Sequence, residues 1–269
     1  MGSLAKRQNH FVSTLLWMIF LVAIWEFTAW ILHSVVHINS AETKWPYFHD
    51  LVINIFQNIP VLFEQGSITF GKAAQGFIIG TLAGMLLALI MSFSKSVKYT
   101  LSPYIISSQM IPVIGLAPII FGILRDPDLS RIVTAGYITF FPVTINMLQG
   151  LENIKPQQLE LMRSYATPSW KMYTKFKIIA ALPNLFSGMK IAAPLAVTAS
   201  VVVELMGAPN GIGVLMLSSL YYGEAQAHMF WSVILICVFI GIASFIFILL
   251  LERIITSWQP EFHRERNET

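Results

Sequence analysis

Glu160–Pro183 reads ELMRSYATPSWKMYTKFKIIAALP, the one long charge-bearing segment between strongly apolar blocks. Leu159, Met162 and Ala166 recur at helical spacing, which predicts a short amphipathic helix. Thr167-Pro168 interrupts it, because Thr can cap a helix and Pro suits the first position of a new one. In the second helix Trp170, Tyr173 and Phe176 line one side, while Lys171, Lys175 and Lys177 keep it in water. Two short helices tethered to apolar blocks on both sides make a rigid polar knob, a shape suited to docking.

What flanks the knob decides the fold class. Of 269 residues, 55% are apolar and only 12% are charged, against about 25% charged in soluble domains. The excess apolar surface calls for lipid. The single cysteine, Cys237, excludes an internal disulfide and a Cys-based metal cluster. A net charge of +3 without a basic, aromatic-interleaved patch makes no case for nucleic acid.

Apolar blocks of span length, about 20 residues per crossing, run over residues 11–36, 67–93, 101–124, 130–150, 185–206 and 228–251. The first exceeds the apolar core of a signal peptide and lacks a clear cleavage site, so it reads as a retained span. Glu26 inside it must face protein or water. The stretch from Tyr47 to Gln65 reads as an amphipathic helix at the interface. Gly76, Gly80 and Gly84, each four apart, predict close backbone approach of the second span to a neighbour. Pro103, Pro112 and Pro118 predict a kinked or broken third span. Gly207–Gly213 is a turn-forming loop. Gly66–Lys72 has the spacing of a phosphate-binding loop, but Ala73 stands where a hydroxyl must ligate magnesium, and the segment opens a span. It is therefore rejected.

Six spans put both ends on one side. With the cytoplasm on that side, the cytoplasmic loops, knob and ends carry the basic excess, and only Lys44, Lys72, Arg125 and Arg131 fall outside. The expected organisation is a cytoplasmic N-terminus (1–10), one membrane domain (11–256) with the knob loop at 152–183, and a cytoplasmic tail (257–269). No catalytic triad, metal set or paired-cysteine constellation is visible, and the six histidines sit at membrane edges and ends. Proline-broken spans and a docking knob suggest transport driven by something bound at the knob. Candidate path residues are Gln109 and Met110 in the third span, Asn146 in the fourth, and Ser200 and Glu204 in the fifth. Glu204 reads equally as a cap for the next loop or a partner for a neighbouring span. No Lys or Arg lies deep in any span, so no fixed cationic site for an anion is visible. The other reading is an ion-coupled secondary transporter or channel with Glu26 and Glu204 as ion groups, but no internal repeat supports it.

The knob resembles the EAA loop of the permease subunits of ABC importers, the binding-protein-dependent inner-membrane family. Glu160 matches the acidic position, Leu161 and Met162 replace the alanines, Ala166 stands where glycine is usual, and Leu182-Pro183 matches the ending. Trp25-Glu26, Phe140-Phe141-Pro142 with Asn146 and Gly150, Val203-Glu204 and Gly211-Ile212-Gly213 look like the branch that imports nitrate, aliphatic sulfonates, taurine and thiamine precursors. The resemblance implies an all-α membrane permease of the type I importer kind in a bacterial inner membrane, itself without cofactor or catalysis. It implies two ATPase subunits holding ATP and magnesium, a second permease copy, and an external binding protein that delivers the solute. It also implies docking through Glu160, Arg163, Ser164, Ala166, Thr167, Ser169 and Trp170.

Overall fold

The structure is a computed structural model that describes residues 2–36 and 44–258; the expected polar stretch at 37–43 and most of the expected tail lie outside them. The described residues are helical, with no strand among them. The elements are α1 Gly2–Ser34, α2 Phe48–Gln57, α3 Ile59–Phe93, α4 Lys95–Gln109, α5 Val113–Leu124, α6 Pro127–Glu152 and α7 Pro156–Ser164. They continue with α8 Ser169–Glu204, α9 Ile212–Tyr221 and α10 Ala227–Ile255. Five stretches, in α1, α3, α6, α8 and α10, are long and apolar enough to cross a bilayer, and six if α4 and α5 count as one broken span.

Boundaries depart from expectation where local chemistry overrides hydropathy. The expected third span, 101–124, is two helices bent by 95°. Pro112 has no N–H and disfavours helix at Ile111, so α4 ends at Gln109 and α5 begins at Val113. α6 starts earlier than expected, at Pro127, because the Asp126 carboxylate accepts the Leu129 N–H at 2.7 Å and Pro127 fits the first turn. The phosphate-loop-like segment lies wholly inside the 35-residue α3, so no cradle of free N–H groups exists there.

The second knob helix is not separate. It runs on as α8 through a π-helical turn at Tyr173–Lys177, and Pro183 lies inside it rather than ending a loop. Thr167 makes no cap: Pro168 flanks the helix start, and its carbonyl accepts from Met172 at 3.0 Å. The π turn swings Tyr173 onto α3, where its hydroxyl meets the Ser92 Oγ at 2.5 Å and its ring stacks on Phe93 at 4.4 Å. Lys177, expected in water, instead lies 4.8 Å over the Tyr173 ring, a cation–π contact.

Two compact units make up the chain: Met1–Gln65 with Leu215–Ile236 and Ser257–Thr269, and Gly66–Val214 with Cys237–Thr256. In the first, Trp25 Nε1 donates to the Pro46 carbonyl at 2.9 Å and its ring stacks on Trp45 at 4.4 Å. Glu26 meets its requirement for a partner by accepting the His49 backbone N–H and pairing with its Nδ1, both at 3.0 Å. That hydrogen bond, helped by the Asp50 charge, raises the His49 pKa above its ordinary value.

The second unit is built on two seams. Gly76, Gly80 and Gly84 face α6, and a Cβ at Gly84 would stand 2.8 Å from the Phe140 carbonyl oxygen. Only glycine lets α3 lie this close, as the four-residue spacing predicts. On the opposite side α6 packs against α8, where Gly188 meets the Pro142 carbonyl and Gly150 meets Ala181 and Asn184. Here the core forms, around Met147, Val143, Ala181 and Ala192.

Candidate functional site

The knob is α7, the turn after it and the first turns of α8. No residue of α7 or of Ser169–Met172 is buried. Glu160, Arg163, Ser164, Ala166 and Ser169 are exposed, Thr167 is half-buried, and Trp170 shows 63% of its surface. Ser164 folds its Oγ back to the Leu161 carbonyl at 2.7 Å.

The turn itself has a specific geometry. Ala166 N–H donates to the Arg163 carbonyl at 2.9 Å and Thr167 N–H to the Met162 carbonyl at 3.3 Å. Those two bonds are the paired closure of a Schellman motif, which places Ala166 in the left-handed position usually held by glycine. Its φ of 49° shows that it takes this conformation without glycine's freedom, at a cost of about 1–2 kcal/mol. The rigid corner is thus imposed by the chain on both sides of it.

α8 has 36 residues, roughly 54 Å at 1.5 Å per residue. About 20 residues suffice to cross the hydrocarbon, so α8 is longer than one crossing needs. Its end away from the knob carries Glu204, which with Arg131 is 0% exposed. One Glu204 oxygen accepts from Arg131 Nη1 at 3.0 Å and the other from the Gly213 N–H at 2.8 Å. The Thr69 hydroxyl lies 2.8 and 3.0 Å from the two oxygens, and Ile212 N–H reaches its Oγ1 at 2.9 Å. Arg131 also donates to the Asn210 carbonyl at 3.2 Å, to its side-chain oxygen at 3.0 Å and to Asp128 at 2.5 Å, and Asp128 in turn takes Lys72 at 2.7 Å. A buried pair persists only when its remaining lone pairs and protons find partners, and here nearly all do.

The loop chemistry follows from that carboxylate. Gly211 has a φ of +119°, and a Cβ on it would overlap the Glu204 carboxyl group; one on Gly213 would stand 2.8 Å from Glu204 Cβ. The Gly-Ile-Gly motif is therefore the space in which the loop closes over Glu204.

The expected path residues do not come together. Ser200 and Glu204 are buried in the hub, with Ser200 Oγ 3.5 Å from the Thr69 carbonyl. Asn146 is half-buried and turns its Nδ2 back to the Pro142 carbonyl at 2.8 Å. Gln109 and Met110 lie exposed at the α4–α5 elbow, Met110 by 76%. Glu204 reads from the sequence as a path residue or, equally, as a group that caps the loop or pairs with a neighbouring span; it accepts from the loop's Gly213 N–H and pairs with Arg131 of α6. Arg131 and Thr69 were missed. Arg131 reads as a flanking charge because it stands one turn from the helix start, and Thr69 is hidden in the rejected phosphate-loop spacing. Lys190, expected at the cytoplasmic edge, lies inside α8 and pairs with Glu252 of α10 at 2.7 Å.

A helical chain with several span-length apolar elements among the described residues is a multi-pass membrane protein. Residues 80–257 match the family described as binding-protein-dependent transport system inner membrane component, and the chain belongs to that family. A probable ABC transporter permease protein of Haemophilus influenzae is 31% identical over 71% of this chain and 77% of its own length. The formylaminopyrimidine transport permease protein of Halalkalibacterium halodurans is 27% identical over 95% of this chain and 99% of its own. A putative aliphatic sulfonates transport permease protein of Bacillus subtilis is 26% identical over 75% and 72%. Among solved structures, the crystal structure of an amino acid ABC transporter with histidines matches with a TM-score of 0.57 at 17% identity, over 77% of this chain and 96% of that one, a likeness of fold. The chain is thus a non-catalytic permease subunit of an ABC importer, a kind of protein that works with ATPase and binding-protein partners. That placement sets aside the ion-coupled reading.

Proposed function

We propose that this permease carries a small uncharged or cationic heterocycle of the thiamine-precursor type, and that ATPase subunits drive it by docking on the knob. The docking reading is carried by the knob's geometry: an exposed acid, an exposed indole and a fixed corner at the end of a helix that enters the membrane core. Glu160, Arg163, Ser164, Ala166, Thr167, Ser169 and Trp170 form the contact. Two ATPase subunits, each holding ATP and magnesium, press on the knobs of two permease copies, and an external binding protein delivers the solute. Both termini and the knob lie in the cytoplasm, on the side favoured by the basic residues.

The solute class rests on two supports. Likeness to the formylaminopyrimidine permease runs over nearly the whole of both chains, whereas the sulfonate likeness covers about three quarters. In addition Lys72, Lys98, Arg131 and Lys190 each sit on a carboxylate, which leaves these cations neutralised against a nitrate or sulfonate. The test is ATP hydrolysis by the reconstituted importer with its binding protein, offered formylaminopyrimidine, taurine or nitrate. Stimulation by the pyrimidine alone is expected; stimulation by taurine or nitrate alone would overturn the solute class and leave the docking reading intact.

A further inference from the structure

Among the described residues Arg131 is the largest fully buried side chain, and beyond the neutralisation of its charge the transport reading gives its grip no role. It sits on α6, reaches Glu204 at the end of α8, and takes both oxygens of Asn210 in the loop beyond. Through Glu204 it shares Thr69 with α3. Its Nε has no partner, so the guanidinium is held for what its two arms grip and not for complete satisfaction. A buried ion pair is weak evidence for stability, since an apolar pair of similar volume often serves as well; fixing the register of elements is its best-attested use.

What it registers is the far end of the knob-bearing helix. A displacement of the knob enters α8, which contains Pro183 and Pro194, and each proline leaves a carbonyl four residues earlier without its helical bond. An unanchored α8 would bend at these points and dissipate the movement. With its last turn clamped to α6 through Arg131 and to α3 through Thr69, the movement must carry those helices along. The glycine seam between α3 and α6 keeps those two together.

We infer that Arg131 is a positioning residue of the transport cycle: acting through Glu204, it fixes the far end of α8 so that movement of the knob turns α3, α6 and the Gly207–Gly213 loop as one body. This rests on the docking of an ATPase at the knob.

The experiment uses the full transporter, permease with its ATPase, in lipid nanodiscs and in a Cys237→Ala background. A single cysteine is placed at Lys171 on the knob, or at Leu129, which is 46% exposed in the first turn of α6. The rate of maleimide labelling is measured without nucleotide and with ATP plus vanadate. With Arg131 present, nucleotide should change the rate at both sites. The key variant is Arg131→Met combined with Glu204→Gln, which removes both charges together and keeps a carbonyl oxygen for Gly213 and Thr69. In it the change at Lys171 should persist and the change at Leu129 should be lost. A change at Leu129 that survives overturns the inference. Should the double variant not assemble, Arg131→Lys, which keeps the charge but not the two-armed grip, is read in the same way. A chain that assembles with neither shows a residue that only holds the fold, which also overturns it. If nucleotide leaves Lys171 unaffected with Arg131 present, it is the docking reading that fails.

Discussion

At single residues the sharpest constraint is Gly211. Its positive φ and the Glu204 carboxyl beneath it leave no room for a methyl group, so Gly211→Ala should destabilise the chain by about 2–4 kcal/mol, strain and overpacking together. Thermal unfolding in detergent would show this as a lowered midpoint, and an unchanged midpoint would contradict the closed loop. Ala166 is the reverse case. Ala166→Gly relieves the left-handed strain at the knob corner and should stabilise the turn by about 1 kcal/mol, net of the freer unfolded chain. Slower hydrogen exchange at Ala166 and Thr167 would register it. His49 supplies a pH signature. Its folded pKa is raised, so its contribution is complete below the unfolded value of about 6.5 and is lost as pH rises through the folded one. His49→Gln should remove that part of the pH dependence, read as protease sensitivity of the Trp45–Gln57 segment.

At the level of elements, the glycine seam is the feature most open to attack. A Cβ at Gly80 would overlap the Gly136 backbone, so Gly80→Val must push α3 off α6. The expected result is loss of assembled transporter rather than a change in affinity, visible as aggregation on size exclusion. Residue spacing made this seam legible, because small residues four apart have one economical use in a helix that crosses lipid. The α4–α5 break was only half legible. Three prolines announced a disturbance, but which of them ends a helix depends on what meets the freed carbonyls, and Pro103 and Pro118 turn out to be tolerated inside helices. The continuity of α8 was not legible, since Lys171–Lys177 reads as a separate short helix kept in water, and nothing in the charge pattern shows that it runs on into the apolar span. Hydropathy records where lipid is, not where a helix stops.

At the scale of the whole molecule the chain pairs an exposed polar knob with a buried charged hub at opposite ends of one helix. The first could be read from the sequence because exposure demands polar residues in a continuous run. The second could not, because Thr69, Arg131, Glu204 and Gly213 lie scattered along the chain and each is ordinary alone. The family resemblance pointed to Glu204 and the Gly-Ile-Gly motif, and the geometry supplies the reason: a carboxylate that needs an N–H donor and a loop thin enough to bring it. The measurement that tests the central claim most directly is gentle purification of the tagged chain from its native cells, with and without Glu160→Lys. The account predicts a stoichiometric ATP-hydrolysing subunit that accompanies the chain and is lost in the variant, while the permease remains inserted. A chain that purifies without any ATPase, or one whose ATPase stays bound when Glu160 is reversed in charge, would contradict it.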